Sequence, residues 1–199
     1  MKKRIFNSLV ASALAASILL LSSCGEDDTK TPYGDEIRSD EAETAFGCHY
    51  YIPEGFSALK QTHSEFNYSD GVAYFYINPY NPEQLTEMEV DPDITVYAYT
   101  RLFMAWNDIP YSNYTYDEET DTAYVEYVSD FGAASEGMAP EYFRWKIMRN
   151  TYYLYIVTVN CPVDVREKYQ QLFDEVLEYT WVESIADVPV TDDLLNPVS

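Results

Sequence analysis

The residues that could do chemistry are few. His49 and His63 are the only two histidines. His49 follows Cys48 directly, but neighbours on a strand point to opposite faces, so this pair is badly placed as nucleophile and base. The segment "GAASEG", residues 132–137, places Ser135 one residue outside a Gly-x-Ser-x-Gly frame. No His-Glu-x-x-His, Cys-x-x-Cys or phosphate-cradling glycine loop occurs. Carboxylates cluster at Asp91 and Asp93, and again at Asp117, Glu118, Glu119 and Asp121. Calcium accepts such oxygens, but the glycine of the calcium loop is missing, so both clusters are expected to be solvated turns. No metal and no cofactor is expected. The chain has 20 tyrosines. Most belong on half-buried sheet faces, ring packed and hydroxyl wet. Tyr111, Tyr114 and Tyr116 are candidates for an exposed aromatic ligand site. The expected function is therefore non-enzymatic binding or scaffolding, with a protein partner or a glycan. The alternative is an acid-dependent hydrolase of cell-surface glycans that uses paired carboxylates.

Charge narrows the partner. Met1-Lys2-Lys3-Arg4 is a basic start, and Phe6 to Leu21 is an apolar run without a charge. That is the layout of a secretory signal peptide. If residues 1–23 are removed, 12 − 3 = 9 basic residues face 34 acidic ones, a formal charge of −25 over 176 residues. Such a chain is not a nucleic-acid binder, because Lys and Arg must neutralise phosphates there. An anionic bilayer would repel it as well.

Leu21-Ser22-Ser23-Cys24 resembles the lipobox of bacterial lipoproteins. The resemblance implies cleavage before Cys24, a lipid thioether on its sulfur and an acylated amino terminus, so that the membrane is met through an anchor. Several acyl chains tether stably where one is marginal. Glu26, Asp27 and Asp28 resemble the acidic surface-export signal of Bacteroidetes lipoproteins. The implied address is the outer membrane, at the cell surface, with the periplasmic face as the alternative. Residues 24–44 are expected to be an acidic, flexible tether, 45–184 one domain, and 185–199 a loose tail.

The elements that must position any site follow from periodicity. Phe46 to Ile52 is expected as one strand, stopped at Pro53-Glu54-Gly55. Phe56 to Thr62 is a weaker strand. Gly71 to Asn78 is a stronger one, ended by Pro79 and Pro82. Asp93 is expected to cap a helix through Trp106, with Ile94, Tyr97, Ala98, Arg101, Leu102 and Ala105 on one stripe. Four strands follow, over 112–116, 122–130, 141–149 and 152–160. The last is apolar almost throughout and should be central, covered on both faces. The closing helix starts at Pro162 and buries Val165, Tyr169, Leu172, Phe173, Val176 and Leu177. The expected class is α+β: a mainly antiparallel sheet of about six strands flanked by two helices.

"FGCHYYIPEGF" (46–56) resembles the opening of PsbP-like and Mog1-like domains, and "WVES" (181–184) resembles their usual end. The order of elements matches theirs across the domain. The resemblance implies an α/β/α sandwich and no particular activity. With Cys24 lipidated, Cys48 and Cys161 remain, an even pair in an oxidising compartment. A disulfide is expected, closing a loop of 161 − 48 = 113 residues and worth at most ~4–5 kcal/mol. Two buried free thiols are the alternative.

Overall fold

The computed structural model of the protein describes residues 43–62, 65–130 and 139–183. Cys24, His63, Ser135, the expected tether up to residue 42 and the expected tail lie outside the described residues.

Ten strands and three helices occur among the described residues: β1 Glu43–Ala45, β2 Cys48–Tyr50, β3 Ser57–Thr62, β4 Glu65–Ser69, β5 Tyr74–Tyr80, α1 Pro82–Glu87, α2 Val96–Trp106, β6 Tyr114–Asp117, β7 Thr122–Ser129, β8 Glu141–Arg149, β9 Leu154–Pro162, α3 Arg166–Glu178 and β10 Trp181–Val182. Seven strands make one sheet in the order β3-β4-β5-β9-β8-β7-β6, every pair antiparallel. A small second sheet has the order β1-β2-β10. The chain is thus α+β, as its pattern predicts, with one strand more than expected in the main sheet.

β9 is buried from Leu154 to Cys161, and both of its faces are covered. Odd-numbered β9 residues Tyr155, Val157, Val159 and Cys161 join β2 and the α3 side chains Tyr169, Phe173, Val176 and Leu177 in one cluster. Leu154 and Ile156 face the other way. They pack with Trp145, Ile147 and the α2 residues Val96, Tyr99, Phe103 and Met104. The period-2 alternation of strands therefore builds two cores from one apolar sequence. Two polar ties hold the helices on. Arg149 donates to the carbonyls of Ile94 and Pro92, each at 2.6 Å, and fixes the entry to α2. Lys146, only 6% exposed, donates its ammonium to the carbonyls of Leu177 at 2.7 Å and Thr180 at 2.6 Å. These are carbonyls at the C-terminus of α3, where a helix has acceptors without intrahelical donors and where a cation is favoured.

Four local expectations are corrected. Residues 46–52 do not form one strand: Phe46 and Gly47 both take positive φ, 56° and 85°, and the chain doubles back as a two-residue hairpin pairing Ala45 with Cys48. The Tyr155 hydroxyl donates to the Phe46 carbonyl at 2.5 Å and holds that conformation. Pro79 stays within β5, and Pro82 opens α1, where Asn81 and Gln84 cap each other reciprocally. Thr95, not Asp93, caps α2. Pro162 ends β9, and a 3-10 turn over Val163–Val165 precedes α3.

The expected disulfide is also corrected, because Cys48 and Cys161 are free and buried. Cys48 lies beside Lys146 and Tyr155, while Cys161 lies near Glu141, Asp164 and Asp70. Lys146 faces Val157 across the β8–β9 ladder. Burial pushes both thiols up to about 12, which makes them poor nucleophiles. In denaturant without reductant, both thiols should titrate in a Cys24→Ala chain, and under native conditions they should react far more slowly. A chain without titratable thiols in denaturant would contradict this.

Candidate functional site

The tyrosines singled out from sequence converge with two residues of α2. A 3-10 turn over Tyr111–Asn113 leads directly into β6. On β6, Tyr114 and Tyr116 are two positions apart and so share a face. That face lies under the first turns of α2. Tyr97 packs its ring against Tyr116 with centroids 5.4 Å apart and against Tyr114 at 6.5 Å. Arg101 is one turn further along α2. Its guanidinium donates to the Tyr97 hydroxyl at 2.8 Å, lies 5.6 Å from the centre of the Tyr97 ring and 4.6 Å from that of Tyr111. Arg101 is therefore held between two aromatic rings at the surface. Tyr97 is 40% exposed and Tyr111 51% exposed, so a partner can reach both rings.

This geometry reverses the expected orientation of α2. The stripe expected to act together, Tyr97, Ala98, Arg101 and Ala105, is exposed, and Ile94 and Leu102 are half-buried. The buried stripe is Val96, Tyr99, Thr100, Phe103 and Met104, which has the same i, i+3, i+4, i+7 spacing. The helix has two stripes with helical period, and the larger apolar one wins the core. Tyr97 and Arg101 are consequently the site residues that sequence reasoning placed wrongly. The signal that could have found them is the charge within that stripe: an arginine is expelled when a Val-Tyr-Phe-Met face competes, and Tyr97 lies one turn before it on the same face.

The electrostatics of the cluster follow from its hydrogen bonds. The bond from Arg101, and after it that from Tyr114, hold the Tyr97 phenol below its ordinary value. The Tyr97 and Tyr111 hydroxyls in turn hold Arg101 above its own. Tyr116 donates to Asp121 at 2.8 Å, which pushes its phenol up to about 12. Among the described residues no carboxylate pairs with Arg101. Among the other described cations, Arg144 bonds Asp174 at 2.5 Å, Lys146 and Arg149 bond carbonyls, and Arg166 and Lys168, like Arg101, lie over tyrosine rings. In a chain with a formal charge of −22, an exposed arginine with no acidic partner among the described residues is a candidate site for an incoming anion.

The other sequence candidates are put to structural use. Asp91 accepts from the Asp93 amide at 2.9 Å, an Asx turn. Asp117 accepts from the Glu119 amide and the Thr120 hydroxyl, and the Thr120 bond, its main cause, holds Asp117 below the usual carboxylate range. No group of three or more metal-ligating side chains occurs among the described residues. Cys48 and His49 do face apart. Cys48 is in the core, whereas His49 bonds Glu183 and stacks on Trp181 with ring centroids 4.0 Å apart. That stack clips β10 onto β2 beside the register pair Trp181 and His49.

No protein-family model matches the chain, and no curated protein sequence matches it. Among solved structures, the Ran-binding protein Mog1p of Saccharomyces cerevisiae is similar, with 11% identity and a TM-score of 0.43 over 70% of this chain and 92% of that one. A point mutant of Mog1 gives 10% identity and a TM-score of 0.44 over 70% and 93%. Cyanobacterial PsbP (CyanoP) from Synechocystis gives 16% identity and a TM-score of 0.46 over 82% and 99%. The α+β class itself rests on the strand order and the two helix-covered faces described above.

Proposed function

We propose that this protein is a lipid-anchored binding module of the bacterial outer membrane, held by acyl chains on Cys24, facing the cell surface and working without catalysis. The observation that carries the binding reading is Arg101: an exposed guanidinium, fixed between the Tyr97 and Tyr111 rings, with no carboxylate of its own among the described residues. Rings that hold a cation in place reduce the side-chain entropy that binding must remove. Arginine and tyrosine are also the residue types that dominate binding hot spots. The partner is thus one that presents a carboxylate next to a face that can pack on tyrosine rings. The lipobox-like Leu21-Ser22-Ser23-Cys24 supports the anchor, and Glu26, Asp27 and Asp28 support the outer leaflet.

The test is co-purification from envelopes solubilised in mild detergent. Wild type should bring down a stoichiometric partner, or a carboxylate-bearing glycan. Arg101→Ala should lose at least tenfold of it while unfolding at the same temperature as wild type, because Arg101 is exposed and supports neither core. Equal recovery with Arg101→Ala would refute the assignment of the site.

A further inference from the structure

We infer that the occupant of this surface is an extended polypeptide segment, which adds to β6 as an eighth strand of the main sheet and places one carboxylate on Arg101. The inference rests on the binding reading of the preceding subsection and names the partner for the same site. Among the described residues, β6 is the last strand in its sheet, paired to β7 on one side and to no strand on the other. Its outer backbone donors and acceptors are a template for another chain.

The two edges of the sheet are not equivalent. At the opposite edge, the pairing of β3 with β4 shifts register between Ala58 and Lys60, and an irregularity of that kind blunts an edge. β6 pairs with β7 in continuous register from Tyr114–Val125 to Asp117–Thr122. It contains no proline and no lysine. An added strand would run ~4.8 Å outside β6, and every second side chain would fall on the face of Tyr97, Tyr114 and Tyr116. An acidic side chain at one of those positions is the complement of Arg101, and apolar or aromatic neighbours would pack on the tyrosine rings. A second copy of this chain is a poor occupant, since two molecules of formal charge −22 repel each other.

The experiment is panning of the lipoprotein, in detergent micelles, against phage-displayed random linear peptides. Amide hydrogen exchange of the complex with the most enriched peptide follows. Enriched peptides should alternate apolar residues and carry one acid at a fixed position. The bound peptide should slow exchange in 114–117 and leave 57–62 unchanged. Arg101→Ala should weaken that peptide at least tenfold and abolish selection for the acid while keeping the alternation. Protection at 57–62 instead, or self-association that depends on Arg101, would overturn strand addition. So would the absence of any enriched peptide alongside Arg101-dependent binding of uronic or sialic acid glycans on an array; that result would leave the broader reading standing. If neither peptides nor acidic glycans bind through Arg101, both readings fall.

Discussion

Replacing Lys146 by methionine should lower the thermal midpoint at pH 7 by about 4–8 °C, and the deficit should widen as pH rises. The variant keeps the volume and loses the donor, so the carbonyls of Leu177 and Thr180 are left without their partner in a buried site. Two charge-assisted bonds are lost, the relief of no longer burying an ammonium offsets part of that, and the net cost is about 2 kcal/mol. At ~2–4 °C per kcal/mol for a chain of this size, the midpoint shift follows. The pH dependence has a definite sign. Burial lowers the Lys146 ammonium from 10.5 to about 8, against the smaller opposing pull of Cys48 and Glu178. Between those values the unfolded chain binds the proton more tightly than the folded one, so this group adds stability as pH rises through 8 to 10.5. The gain reaches about 3 kcal/mol, and the methionine variant lacks it. The buried thiols act in the opposite direction: folding raises them from 9.0 to about 12, so both proteins lose stability above pH 9, and only their difference isolates Lys146. Denaturant melts at pH 7, 8, 9 and 10 check this. A gap that narrows with pH would mean that the lysine is charged more easily inside the fold than outside it.

Changing Cys24 to alanine should move the protein from the membrane fraction to the soluble fraction without changing the fold of the domain. Each buried methylene contributes ~0.8 kcal/mol, and several chains together hold a protein at the bilayer, whereas no chain leaves nothing to hold it. No helix among the described residues is long and apolar enough to cross a membrane. The chain's acidity also gives it no attraction to anionic lipid. Metabolic labelling with palmitate should mark wild type and not the variant. Equal labelling, or a variant that still sediments with membranes after a high-salt wash, would remove the anchor from the account.

The parts of the fold that were legible are those in which one periodicity had no rival. β9 was plain because its apolar run is short and rich in β-branched and aromatic residues, which favours a strand covered on both faces over a buried helix. α3 was plain because Tyr169, Phe173, Val176 and Leu177 form the one apolar face of a polar helix. β8 matches its expected span of 141–149. The hairpin at Phe46-Gly47 was hidden because an aromatic residue rarely takes positive φ; it does so here because Tyr155, more than a hundred positions away, bonds its carbonyl. β4 was missed because Glu65–Ser69 is only five residues long, although it alternates Phe66 and Tyr68 with polar residues, and its pairing with β5 carries both rings into the core. The cysteine pairing failed for a similar reason: parity of cysteines says nothing of whether two buried side chains meet. Tyr111, Tyr114 and Tyr116 stood out by composition. Their partner Arg101 did not, because bringing it to them depends on which of two stripes of α2 enters the core, a matter of competing apolar volume rather than of spacing.

The most direct test of the central claim is site-specific photo-crosslinking in intact envelopes. A benzophenone amino acid in place of Tyr111, beside Arg101, is compared with the same residue in place of Tyr152, which is similarly exposed at 48% and belongs to the β8–β9 turn. The binding account predicts one discrete adduct from position 111, lost when Arg101 is also changed to alanine, and none from position 152. Adducts that form equally from both positions, or that persist without Arg101, would contradict it.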